Sequence, residues 1–366
     1  MVLLFYISGH GFGHAARDIE VVNAIALHDR SVRIVLRTAV PEWFLRASLT
    51  CAAEIIPGET DTGLVQPDSL SIDEEESARR AAHFYRDFPD RVERERDLIG
   101  GLGARLVVGD IPPLAFAAAD AASVPSIAFG NFTWDWIYEA YPQFDAIAPG
   151  VIRLIADASA KATVALRLPF AGGFASMSRV EDVPLVARRA SVSKDDTRKR
   201  LGLAGDRPIV LATFGGHGGD VPLDRAASSD SFTLVATDYE VRSTASAPNV
   251  RVVSAGALAD AKLTYTDLLA AADVVATKLG YGIVSECLAN GVALLYTLRG
   301  RFVEQDVFMR EMPAVMRCRH IDRDALCEGR WAEAVEALLA QPVPAMKPTA
   351  NGAAIVARAI LRSATG

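Results

Sequence analysis

Residues 1–18 read MVLLFYISGHGFGHAARD. An apolar run from Val2 to Ile7 passes directly into Ser8-Gly9-His10-Gly11-Phe12-Gly13-His14, so three glycines and two histidines fall within seven positions. A short apolar run stopping at a glycine turn reads as a buried strand. The residues after it, with Val21, Val22, Ile25 and Ala26 on one face, read as a helix over 15–29. Strand, glycine turn and helix together open an α/β unit, whose ligands bind at the carboxyl ends of the strands.

The turn fails the test for a dinucleotide site. That fingerprint needs GxGxxG and an acidic residue about 20 positions on. Here Gly9, Gly11 and Gly13 give GxGxG, His14 fills the slot of the last glycine, and the next expected strand runs into Leu36-Arg37. No GxxxxGK[ST] phosphate loop occurs. What the turn does offer is main-chain N–H groups at a helix N-terminus, beside imidazoles suited to proton transfer near neutral pH.

Outward from this turn the pattern repeats. Strands are expected at Val2–Ser8, Val32–Leu36, Glu54–Ile56, Arg105–Val108, Ser126–Phe129 and Ala162–Leu166, with one long charged helix over 73–100. After Pro208 the pattern restarts: IVLATF runs into Gly215-Gly216-His217-Gly218-Gly219. Strands then follow at Phe232–Ala236, Arg251–Val253, Val274–Ala276, Ala293–Tyr296 and about Val315–Cys318. The stretch from Ala171 to Gly205 has no clean periodicity. The expected architecture is α/β, with two Rossmann-like, doubly wound domains facing a central cleft. Their expected bounds are 1–170 and 206–349, joined by a linker over 171–205 and followed by a helical segment over 350–366 that returns to the first domain.

Composition agrees with two cores: 366 residues, 51% hydrophobic and 23% charged. A formal charge of −7 argues against a nucleic-acid partner. Cys51, Cys287, Cys318 and Cys327 show no metal-ligand spacing and read as free thiols in a reducing compartment. No apolar window is long enough for a transmembrane helix, and the apolar start lacks the basic flank and cleavage site of a signal peptide. The expectation is a cytoplasmic protein, with peripheral membrane contact left open.

A further segment gives the direction: Lys278-Leu279-Gly280-Tyr281-Gly282-Ile283-Val284-Ser285-Glu286, then Phe302-Val303-Glu304-Gln305-Asp306. It resembles the nucleotide-sugar segment of GT-B glycosyltransferases, with a basic residue, glycines, a Glu, and later an acidic–Gln pair. A related pattern occurs in the bacterial transferase that adds N-acetylglucosamine to the lipid-linked peptidoglycan precursor. SGHGFGHAAR, NFTWDWIY, KLGYGIVSE and FVEQDVFMREM more narrowly resemble the glycosyltransferase-like N-terminal region of L-arabinokinases and its stand-alone bacterial relatives. That similarity runs from residue 1 to about 340.

The resemblance implies a donor site in the second half. Glu286 would accept the ribose hydroxyls. Lys278, with main-chain groups of Gly280, Tyr281, Gly282 and Ile283, would hold the diphosphate, and Gly215, Gly216 and His217 would close on it. Val253 and Ser254 would grip the base, and Glu304 and Gln305 would read sugar hydroxyls. In the first half, His14 matches a general base on an acceptor hydroxyl and Asp110 the aspartate that orients it. His10 stays open as a rival base, beside Gly11, Phe12 and Gly13 in the acceptor loop. Trp134 reads either as core or as an acceptor platform. The implied activity is inverting transfer from a nucleotide diphosphate sugar, UDP-linked by preference, to an unidentified acceptor, with no cofactor and no metal. The alternatives are a sugar-nucleotide epimerase or hydrolase, or a non-catalytic sugar-nucleotide-binding protein.

Overall fold

A computed structural model describes residues 1–68, 70–214, 223–226, 230–238, 249–346 and 348–365. The chain builds two sheets, and every strand pair within them is parallel. The first contains β1 (Val2–Ile7), β2 (Arg33–Thr38), β3 (Glu54–Pro57), β4 (Ala104–Asp110), β5 (Ser126–Gly130), β6 (Val164–Arg167) and β7 (Val180–Asp182). Their spatial order is β3-β2-β1-β4-β5-β6-β7. The second contains β8 (Ile209–Thr213), β9 (Thr233–Thr237), β10 (Val250–Val253), β11 (Val274–Lys278), β12 (Ala293–Thr297) and β13 (Cys318–His320), in the order β10-β9-β8-β11-β12-β13. Each order reverses direction once, between β1 and β4 and between β8 and β11. Such switch points leave a crevice at the carboxyl edge of an open α/β sheet.

Leu3 to Ile7 are fully buried because β1 is central and covered on both faces, which is why it reads as an unbroken apolar run. The helix Phe12–His28 follows at once, and Gly11 at φ 79° makes the turn that a side chain would strain. This helix packs on Tyr281–Asn290 of the second half and on the last helix, Gly352–Thr365. One apolar cluster therefore runs from Leu3, Phe5 and Ile7 through Ile19 and Val22 to Val356, Ile360, Val284 and Leu211, joining the two sheets.

Three elements differ from expectation. The charged stretch over 73–100 is two helices, Glu74–Arg86 and Phe88–Leu102. Pro89 has no N–H to donate and its ring crowds the preceding turn, so it sits in the first turn of a new helix. β7 lies inside the stretch 171–205 and completes the first sheet at its edge. The last strand begins at Cys318 because Met312–Ala314 forms a 3₁₀ turn and the N–H groups of Val315 and Met316 both bond back to Met312 O. No helix among the described residues is long and apolar enough to cross a membrane.

Candidate active site

Register explains how His14 meets Asp110. Ile7 at the end of β1 lies opposite Asp110 at the end of β4, so the glycine turn and the carboxylate share one rim of the sheet. His14, in the first turn of the following helix, places Nδ1 3.0 Å from Asp110 Oδ2. One helical turn on, Arg17 donates its Nε–H to the same oxygen at 3.0 Å and its terminal N–H to Oδ1, a two-pronged grip on a fully buried carboxylate. Arg17 also donates to Asn131 Oδ1 at 2.7 Å and lies over the Tyr281 ring. Burial alone would raise the Asp110 pKa, but Arg17, His14 and the neighbouring Asp18 carboxyl hold it well below the ordinary carboxylate range. Asp110 is therefore an anion, and the ring proton of His14 belongs on Nδ1, facing it. That leaves the lone pair on Nε2. Arg17 NH2 also lies 3.0 Å from Nδ1, a contact between two donors sharing one carboxylate. Immediately after Asp110, Ile111 adopts φ 56° although it is β-branched and buried. Such a conformation costs on the order of 1–3 kcal/mol and clusters at functional sites.

His10 is arranged differently. Its Nδ1 accepts the Leu64 N–H at 3.2 Å, so a neutral ring carries its proton on Nε2. Its Nε2 lies 3.4 Å from Gln66 Nε2. Trp134 is fully buried, donates to Asp61 Oδ2 at 2.8 Å, and lies edge-on to His10 at 5.3 Å. It is core behind the histidines and presents no surface to an acceptor. Asp61 also accepts from Ser8 Oγ at 3.0 Å, and burial pushes its pKa up to about 6. Phe12 stacks on Phe44 at 4.3 Å, beside the half-exposed Trp43.

The second half meets this site backbone to backbone. A Cβ added at Gly282 would lie 3.2 Å from Gly13 Cα. Gly280 caps the helix Tyr281–Asn290 without a side-chain hydrogen bond, so the first turn, with Ile283, keeps main-chain N–H groups available beside the His14 turn. Lys278 ends β11, and its Nζ donates to Gln66 Oε1 at 3.2 Å. Arg299 NH1 donates to that same oxygen at 3.3 Å. Arg299 is buried, its Nε has no partner, and burial outweighs the pull of Glu304 and Tyr141 to lower its pKa. One neutral amide oxygen thus sits between two cations.

The residues expected to read hydroxyls are engaged elsewhere. Arg188 Nε donates to Glu286 Oε1 at 2.6 Å, and both side chains are largely buried. Glu304 accepts from Asn131 at 2.8 Å, which ties the second half back to Arg17. Gln305 accepts the Arg299 N–H at 2.8 Å and donates to the Gly300 carbonyl at 3.3 Å, holding the turn after β12. Val253 is buried at the end of edge strand β10, and Ser254 caps the next helix by accepting the Ala257 N–H at 3.0 Å. Gly215, Gly216 and His217 lie outside the described residues. Asp322-Arg323-Asp324 is an Asp-x-Asp triplet, against the expectation that the chain holds none. Here Asp322 caps a helix by accepting the Ala325 N–H at 2.8 Å. The partners that sequence reasoning missed are Arg17, Asp18, Asp61, Gln66, Asn131, Arg188 and Arg299, all brought in by contacts across the fold.

Solved structures place this architecture. The calicheamicin glycosyltransferase CalG4 superposes with a TM-score of 0.59, covering 99% of this chain and 94% of that one at 17% identity. The fold is GT-B. UGT89C1 of Arabidopsis thaliana, complexed with UDP, gives a GT-B match with a TM-score of 0.58, 98% and 94% coverage and 15% identity. The glycosyltransferase VinC, in complex with dTDP, gives a TM-score of 0.56, 100% and 96% coverage and 15% identity. In sequence, the chain is similar to the L-arabinokinase of Arabidopsis thaliana, 30% identical over 378 aligned residues that take in all of this chain and 35% of that protein. It spans about a third of that relative's length. No protein-family model matches. The chain has the GT-B fold and is similar in sequence to about a third of L-arabinokinase.

Proposed function

We propose that this GT-B protein is an inverting glycosyltransferase using a nucleotide diphosphate sugar, UDP-linked by preference. The observation that carries the reading is the buried His14–Asp110 pair at the β1/β4 switch point, beside the open N-terminus of Tyr281–Asn290. An acceptor hydroxyl bound by the first half loses its proton to His14 Nε2 as its oxygen attacks the anomeric carbon. The bond to the diphosphate breaks on the opposite face, and Asp110 stabilises the imidazolium that forms. The leaving diphosphate is met by Lys278, Arg299 and the main-chain N–H groups of Tyr281, Gly282 and Ile283. Glu286 reads the ribose through an oxygen it shares with Arg188. Gln305 acts by shaping the turn that carries Arg299, and Glu304 by tying that turn to Asn131.

A second reading is sugar-nucleotide binding without turnover. A thermal-shift panel of UDP-, GDP- and dTDP-sugars, followed by product analysis, separates the readings. Binding plus acceptor-dependent release of the nucleoside diphosphate supports the transferase. Acceptor-free conversion of the donor indicates a hydrolase or epimerase, and stabilisation without any product supports a binding protein.

A further inference from the structure

Asp18 belongs to the His14 cluster, and the proposed mechanism gives it no role. It lies one helical turn beyond His14 on the same helix, and its side chain is completely buried. Among the described residues no donor gives a hydrogen bond to either carboxyl oxygen. Its carboxyl group lies within hydrogen-bonding reach of the Asp110 carboxylate. A buried carboxylate with no donor on either oxygen is among the costliest groups a fold can hold, whereas a neutral acid needs only one acceptor for its O–H. The acceptor at hand is Asp110, already an anion in the two-pronged grip of Arg17.

We propose that Asp18 is a positioning residue: as a neutral acid it donates its O–H to Asp110 and so fixes the carboxylate that orients His14. The surrounding charges agree. From its own helix Asp18 faces Arg17 and His14, and from the end of β4 it faces Asp110. Asn131 and Tyr281 touch Arg17 from the first sheet and from the second half. With Asp18 neutral, Arg17 and Asp110 cancel, and the imidazole can stay uncharged with its Nε2 lone pair available. With Asp18 ionised, two buried carboxylates would share the one guanidinium of Arg17. Burial and the Asp110 charge push the Asp18 pKa well above the ordinary range, in the same direction.

The proposal rests on the transferase reading only for its consequence, so it is tested without substrate. Wild type, Asp18→Asn and Asp18→Leu are compared by ¹H–¹⁵N NMR of the His14 imidazole, assigned with His14→Gln. Infrared spectroscopy follows the carbonyl stretch of un-ionised carboxylic acids. The expected result is an un-ionised acid band at neutral pH that Asp18→Asn abolishes. The His14 tautomer and titration midpoint should be the same in wild type and Asp18→Asn, because an amide N–H replaces the acid O–H without changing charge. Asp18→Leu removes a donor from Asp110, leaves more of its charge to His14, and raises that midpoint by about one unit. The proposal is overturned if the acid band is absent. It is equally overturned if Asp18→Asn lowers the His14 midpoint, which would mean that the wild-type residue is an anion. If Asp18→Leu does not fold, the band and the Asp18→Asn titration decide alone.

Discussion

Arg188 and Glu286 form a largely buried pair, with Nε and Oε1 2.6 Å apart, at the carboxylate for which the resemblance implies a ribose contact. Removing one partner leaves the other charge uncompensated. Arg188→Ala should therefore lower stability by about 3 kcal/mol, measured by denaturant unfolding, whereas Glu286→Gln should cost less because the amide still accepts. If Glu286 also reads ribose, Glu286→Ala weakens UDP binding at least fivefold in calorimetry. An unchanged affinity removes that role.

The amide of Gln66 makes a second prediction. Its oxygen accepts from both Lys278 and Arg299, a position where an anionic ligand oxygen would also sit. Gln66→Glu supplies a resident anion. It should raise the melting temperature while weakening UDP binding about tenfold, or 1.4 kcal/mol. Arg299→Gln should weaken binding without the stability gain. Parallel changes in both quantities for Gln66→Glu would show that the amide does not stand in a ligand's place.

His14→Ala should reduce turnover with any accepted donor and acceptor by about 10²–10⁴-fold while leaving donor affinity near wild type. His10→Ala should act mainly through the loop whose Leu64 N–H it accepts, with less than about a tenfold loss of turnover. The reverse order of effects would make His10 the base.

Asp61 gives a pH signature of stability. Its pKa is raised to about 6 by burial, against an unfolded value near 3.9, so the folded state binds the extra proton. Its contribution is complete below about pH 4 and is lost as the pH rises through about 6. Asp61→Asn keeps one acceptor oxygen for Trp134 and turns its amide N–H to the Ser8 hydroxyl oxygen, and it should flatten that window, with a relative gain of up to about 3 kcal/mol at neutral pH. Asp110 works in the opposite sense. Its depressed pKa stabilises the fold above about pH 4, and that stability is lost as the pH falls through the folded value. Unfolding followed from pH 4 to 7 in wild type and Asp61→Asn checks the first effect.

The parts of the fold legible in sequence are those written in local periodicity. β1 and β8 show as unbroken apolar runs because they are central and covered on both faces. β7 did not show, since three partly exposed residues, two of them acidic, carry no apolar signal at a sheet edge. The meeting of His14 with Asp110 was legible because each lies at the carboxyl end of a recognisable strand, on one rim. Arg17 reads as an ordinary helix residue until Asp110 and Asn131, 93 and 114 positions away, are brought against it. Arg188, Gln66 and Arg299 were hidden for the same reason. Each takes its role from the way the two halves meet, and no short window of sequence records that meeting.

A Cβ at Gly282 would lie 3.2 Å from Gly13 Cα and so press on that main chain, whereas one at Gly13 would reach Gly282 only at ordinary contact distance. The helix behind Gly13 carries His14 and is also clamped by the second half and by the chain's last helix. Any opening between the two halves would therefore tilt the helix that carries His14. Access and alignment are set by one joint, and a substitution far from the histidine that loosens this joint would change both at once.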